Sequence, residues 1–154
     1  MQAVATTEST SSGSWGNDAG GWEEQLIADL RANGGRPSRG PLAGHPLLLM
    51  WAVGAKSGHE HRAILTYSRA GDDYVVAGSA GGSDSDPSWV ANVARNPTVR
   101  LEVDGDTFEA TATVESGAER DRLWRAHVAA LPWFGDYEHK TSRVIPIVRL
   151  HRLG

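Results

Sequence analysis

His45-Pro46-Leu47-Leu48-Leu49-Met50-Trp51-Ala52-Val53-Gly54 decides the reading of this chain. The run is apolar throughout and shows no helical period. It is half the length of the ~18 residues that a membrane helix needs. It therefore predicts a buried strand that ends at a glycine turn, Gly54-Ala55-Lys56-Ser57-Gly58. Downstream, His61 to Arg69 carries Ile64, Leu65, Thr66 and Tyr67, which favour β structure. Ala70-Gly71-Asp72 is a hairpin turn, and Tyr74 to Gly78 is the return strand. Asp86-Pro87 predicts a helix start, with Asp86 as its cap, and Asn96-Pro97 predicts its end. Val99–Val103 and Thr107–Val114 flank a second hairpin at Asp104-Gly105-Asp106. Ser116 with Glu119 predicts a capping box on a helix that runs to about Ala130. Arg143 to Leu150 reads as a closing strand, with Pro146 marking an edge or a bulge.

Upstream, Trp22, Leu26, Ile27 and Leu30 form one face of a short helix, and Asn33-Gly34-Gly35 ends it. Residues 1–20 are rich in Ser, Thr, Gly and Ala and are expected to be a disordered tail. One domain is expected over residues 21–154. The sum predicts an α+β fold, an antiparallel barrel of about six strands with three to four helices.

Composition narrows the function. Of the 154 residues 40% are hydrophobic and 22% charged, which suits an ordinary globular domain. A formal net charge of -4 argues against nucleic acid as a partner. The chain has no cysteine, which excludes thiolate nucleophiles and Cys-based metal sites and fits a reducing cytoplasm. No integral membrane segment is expected, and a small-molecule substrate bound by a monomer or homodimer is.

Two glycine-rich loops carry the chemistry. The first is Gly54 to Gly58, with His61 and Arg62 close behind; the second is Ser79-Ala80-Gly81-Gly82. Glycine lets a backbone approach a ligand and turn its N–H groups toward an anion. Lys56 and Ser57 beside those glycines add a cation and a hydroxyl. Each loop is equally readable as a plain connection, with Lys56 in water. His59-Glu60-His61 lacks a third ligand for a metal. Trp89 and Trp124, at helical spacing, suit a core better than a ligand platform. Trp133-Phe134-Gly135-Asp136-Tyr137 is a broken aromatic stretch that suits a pocket rim as well as simple packing.

Together the motifs resemble the deazaflavin-dependent nitroreductase family, which binds coenzyme F-420 on a split-barrel flavin-binding fold. The resemblance rests on Gly54 to Gly58, Ser79 to Gly82, Asp86-Pro87-Ser88-Trp89 with Asn92, Asn96-Pro97, Asp136-Tyr137 and Arg143-Val144-Ile145-Pro146-Ile147, in order from about His45 to Leu150. Ala55 and Ala80 stand where the family carries arginine and lysine. His61 stands at a further arginine position, and Ile64 at a proline. The resemblance implies that reduced F-420 gives hydride to a flat, electron-poor acceptor such as a quinone, an enone or a nitroaromatic. It implies that Lys56, Ser57, Gly58, His61 and Arg62 lie at the phosphate and tail. Ser79, Gly81 and Gly82 would approach the ring, with Trp89 and Asn92 supporting them. Trp133 and Phe134 would wall the substrate pocket, and Tyr137 would give a proton. Two rival readings stay open: a flavin-mononucleotide (FMN) or haem binder on the same barrel, and a non-catalytic lipid carrier.

Overall fold

The computed structural model describes residues 21–153. The expected tail, residues 1–20, lies outside the described residues. Seven antiparallel strands form one curled sheet: β1 (Leu47–Val53), β2 (Glu60–Thr66), β3 (Ser68–Ala70), β4 (Asp73–Ala77), β5 (Thr98–Val103), β6 (Asp106–Glu115) and β7 (Ile147–Arg152). Their order is β2-β1-β5-β6-β7-β4-β3. Four helices accompany them: α1 (Gly21–Ala32), α2 (Ser88–Arg95), α3 (Gly117–Ala130) and α4 (Phe134–Glu138), with a short 3-10 turn at Ala80–Gly82.

The apolar run forms β1 because both of its faces are covered. Leu48, Met50 and Ala52 point into the barrel, among Ala63, Leu65, Val76, Leu101 and Val148. Leu47 and Leu49 point outward, with Ile64, onto Leu26, Ile27 and Leu30 of α1. A strand buried on both sides loses the polar alternation of a half-exposed one. Each α1 side chain so buried contributes about 1.5–3 kcal/mol, and this holds the helix against the barrel. α1 ends as its sequence predicts: Gly35 N–H donates to Leu30 O over 2.8 Å, and Gly34 and Gly35 both have positive φ.

On the opposite side, α3 and α4 cover Val75, Ala77 and Ile147 through Leu123, Trp124, Leu131 and Phe134. α2 inserts Trp89, Val90 and Val93 into the barrel cluster. Asp104 and Gly105, at φ 52° and 82°, make the two-residue turn between the paired Val103 and Asp106.

Several local expectations are corrected. The span from His61 to Arg69 is broken at Tyr67, and the extra strand β3 results. The capping box on α3 does not form: Ser116 makes no side-chain cap, and Glu119 pairs with Arg122 and Arg149 instead. Asp86 does not cap α2 either. Pro87 occupies the cap position, and the Asp86 carboxylate accepts from Arg143 Nη1 over 2.7 Å. The closing strand begins only at Ile147, after Pro146, whose carbonyl accepts from Gly78 N–H. Residues 134–138 are helical, not an open loop. Phe134 is buried there, edge-on to both His127 and Tyr137.

Candidate functional site

The glycine turn after β1 opens a cleft of about 400 Å³, at the small end of the usual range for ligand pockets. Its walls come from the turn (Gly54, Ala55, Lys56, Ser57), from β2 (His61, Arg62, Ala63) and from α2 (Ser88, Trp89, Asn92). A Cβ at Gly54 would meet Ser57 Oγ and His61 Nε2, so a larger residue there would displace that pair. Gly58, at φ 72°, turns the chain back, and its N–H donates to Gly54 O over 3.1 Å. Asn92 ties helix to turn: its Oδ1 accepts from Ala55 N–H at 2.9 Å.

Side-chain facing follows the strand period. His61 lies on the Ala63 and Leu65 face and meets Ser57 Oγ with its Nε2 at 3.1 Å. Arg62 lies on the Ile64 face, toward α1. Its Nη2 donates to Glu23 over 2.9 Å and to Glu24 over 3.1 Å. Burial alone would lower the Arg62 pKa, but the bonds to the two carboxylates outweigh it and hold it raised. Arg62 is therefore partly neutralised by the helix that lies over it.

The second glycine loop has unusual backbone geometry. Ala80, Gly81 and Gly82 have φ of 47°, 66° and 87°, a run of left-handed residues of which one carries a Cβ. Arg143 secures this loop with one guanidinium. It donates to Ser79 O (2.9 Å), Ser83 O (2.8 Å) and Asp86 Oδ1 (2.7 Å). Thr141 Oγ1 donates to Asp84 Oδ1 over 2.8 Å. α4 packs beside the loop, with Tyr137 edge-on to Phe134.

The predicted residues thus fall into two groups. Lys56, Ser57, His61, Arg62, Trp89 and Asn92 line the cleft. Ser79, Gly81, Gly82 and Tyr137 do not line it but gather around the Arg143 clamp and α4. Trp133 bridges the cluster under α1 and the one under α3. Ala63 and Ser88 were missed as cleft residues; a small residue and a helix-start serine give no distinctive sequence signal.

The donor set fits an anionic coenzyme. The cleft walls offer Lys56, Arg62, His61 and hydroxyl donors, and no carboxylate among the described residues lines them. Four buried polar atoms among the described residues also lack partners: Ser79 Oγ, Trp89 Nε1, Arg62 Nε and His127 Nε2. Such orphans are costly unless something satisfies them, and two of the four, on Arg62 and Trp89, belong to cleft residues.

Comparison with known proteins decides the assignment. The sequence pattern of the family described as F420H(2)-dependent quinone reductase matches residues 23–152. The chain belongs to that family. An F420H(2)-dependent quinone reductase of Mycobacterium tuberculosis (strain H37Rv) is 36% identical over 110 residues, which cover 70% of this chain and 74% of that protein. A solved F-420-H2-dependent reductase, FDR-A, is 34% identical with a TM-score of 0.63, covering 69% of this chain and 94% of its own. Another solved structure, described as a domain-swapped dimer, is 30% identical with a TM-score of 0.65, covering 84% and 96%. The expected α+β split barrel and the deazaflavin-dependent oxidoreductase class are therefore established, with F-420 as the coenzyme of the family. No helix among the described residues is long and apolar enough to cross a membrane.

Proposed function

We propose that this chain reduces quinones with coenzyme F-420, using the two glycine loops as opposite ends of one coenzyme site. Reduced F-420, when bound, supplies a hydride. The observation that carries the reading is the cleft lined by Lys56, Ser57, His61 and Arg62 without a carboxylate. Such a wall suits a phosphate and a carboxylate-rich tail.

In this reading Lys56 holds the anionic end by charge. Ser57 and His61 act as a hydrogen-bonded pair, so a ligand oxygen at the hydroxyl is also sensed by the imidazole. Gly58 sets the turn that presents both. Ser79, Gly81 and Gly82 present backbone and hydroxyl groups to the ring end, and the clamp of Arg143 fixes their geometry beforehand. Asn92 and Trp89 fix α2 against the first loop. A quinone that takes up a hydride and a proton becomes a hydroquinone, and Tyr137 is assigned the proton. Trp133 borders the acceptor; Phe134 supports Tyr137 from the core.

The test is a fluorescence titration with oxidised F-420, followed by anaerobic turnover of reduced F-420 with a soluble naphthoquinone. Micromolar binding and quinone-dependent oxidation are expected. Binding without quinone-dependent oxidation would reduce the proposal to a coenzyme-binding protein. A soluble acceptor and a cytoplasmic location complete the reading, and cell fractionation tests the location.

A further inference from the structure

The second glycine loop lacks its own cation, because Ala80 stands where the resemblance places lysine. A different element brings one to the same place. Lys140, two residues beyond α4, lays its aliphatic stem against Gly82. A methyl group built on Gly82 would lie 2.9 Å from both Cβ and Cδ of Lys140. Only a glycine admits the stem at that spacing. The Nζ, two bonds beyond Cδ, lies 5.7 Å from the centroid of the Tyr137 ring. The ammonium is thereby placed between the left-handed loop and the assigned proton donor.

Lys140 forms no ion pair among the described residues. The two carboxylates of the adjoining loop are otherwise engaged. Asp84 Oδ1 accepts from Thr141, and Asp86 Oδ1 from Arg143 Nη1. Neighbouring residues thus occupy the acids that would otherwise compete for Lys140. An exposed lysine held along a glycine backbone, with its charge unspent, is arranged to meet an anionic oxygen.

We propose that Lys140 is a coenzyme-binding residue, supplying at the Gly81-Gly82 loop the positive charge that Ala80 does not. The inference rests on the reading of that loop as the ring end of the coenzyme site. Its ligand is an anionic oxygen of F-420, and its action is on affinity rather than on the chemical step.

The experiment is a titration of oxidised F-420 at low salt against four proteins: the natural chain, Lys140→Gln, Lys56→Ala and the double variant Ala80→Lys/Lys140→Gln. Lys140→Gln is expected to bind about tenfold more weakly, as loss of one charge-assisted contact implies. Ala80→Lys in that background is expected to restore affinity to within about twofold, because it returns the charge from the loop itself. Turnover at saturating coenzyme should stay near that of the natural chain. Unchanged affinity in Lys140→Gln, beside weakened Lys56→Ala, overturns the role of Lys140 and leaves the cleft intact. Unchanged affinity in both overturns the coenzyme site itself. A double variant that stays weak, or a Lys140→Gln protein that loses turnover but not affinity, also overturns the proposal. The second of these results would move Lys140 to the acceptor.

Discussion

Arg143 Nη2 donates to the carbonyl oxygen of Ser79 over 2.9 Å, while its Nε reaches Ser83 O across the left-handed turn between them. The guanidinium thus spans the turn, and it bonds Asp86 as well. Its side chain is only 15% exposed, so solvent screens these bonds weakly. Each is worth about 1.5–3 kcal/mol when charge-assisted, though not additively. Arg143→Ala is therefore expected to cost roughly 2–4 kcal/mol and to weaken F-420 binding by more than tenfold. Arg143→Lys, which keeps the charge but lacks the planar fork, should recover little of either. Full recovery by lysine would show that charge alone matters here and would remove the clamp. Thermal midpoints and coenzyme titrations measure both effects.

Lys56 is the cation of the cleft that no carboxylate among the described residues engages, since Arg62 is held by Glu23 and Glu24. Lys56→Ala is expected to weaken F-420 binding about tenfold or more. The loss should shrink as salt rises, because an exposed charge pair is screened. An unchanged dissociation constant at low salt would remove Lys56 from the anion end.

Most of the barrel was legible because apolar runs and turn residues are local signals. The run from His45 to Gly54 named β1, and Asp104-Gly105 named a hairpin whose two left-handed residues the structure shows. Failures came where a long-range charge overrode a local rule. Asp86 and Glu119 look like helix-start acids, but Arg143, in the loop before β7, and Arg149, on β7, arrive from far along the chain and take them. No local pattern announces a partner 57 residues away. The helix at Phe134–Glu138 was hidden for a related reason. Pro132 and Gly135 suggest a loop, yet His127 and Tyr137 offer edges that bury the Phe134 ring. The candidate site was half legible. Glycines, Lys56 and Ser57 were readable as a motif, whereas Ser88, Ala63 and Lys140 depend on which elements fold together.

His127 lies fully buried on α3, with Nδ1 2.7 Å from Ser68 Oγ and Nε2 unpartnered. Burial lowers its pKa to about 4. In the unfolded chain an imidazole takes up its proton near ~6.5. Between those values the unfolded state binds more protons, so stability is complete above about pH 6.5 and falls as the pH falls toward 4. The loss should reach roughly 2–3 kcal/mol by about pH 4.5. Asp73, Glu102 and Glu119, whose carboxyl pKa values are lowered, lose their stabilisation mainly at more acid pH. Urea midpoints at pH 7 and 4.5 check this. His127→Gln should be less stable at pH 7 and show a flatter dependence over that window. A variant with the same slope as the natural chain would place the acid sensitivity elsewhere.

Tyr137 stands at the meeting of α4, the left-handed loop and the Lys140 ammonium, 5.7 Å from the latter. Removing its hydroxyl as Tyr137→Phe keeps the edge contact with Phe134, so folding should be nearly unaffected. A positioned general acid contributes about 10²–10⁴-fold to rate. Turnover with a quinone should therefore fall by at least about tenfold, with F-420 affinity unchanged, as expected of a group acting in the transition state. The decrease should be smaller for acceptors whose reduced form needs little protonation. Weakened coenzyme binding with intact saturated turnover would instead make Tyr137 a coenzyme contact. Full activity would leave water as the proton source.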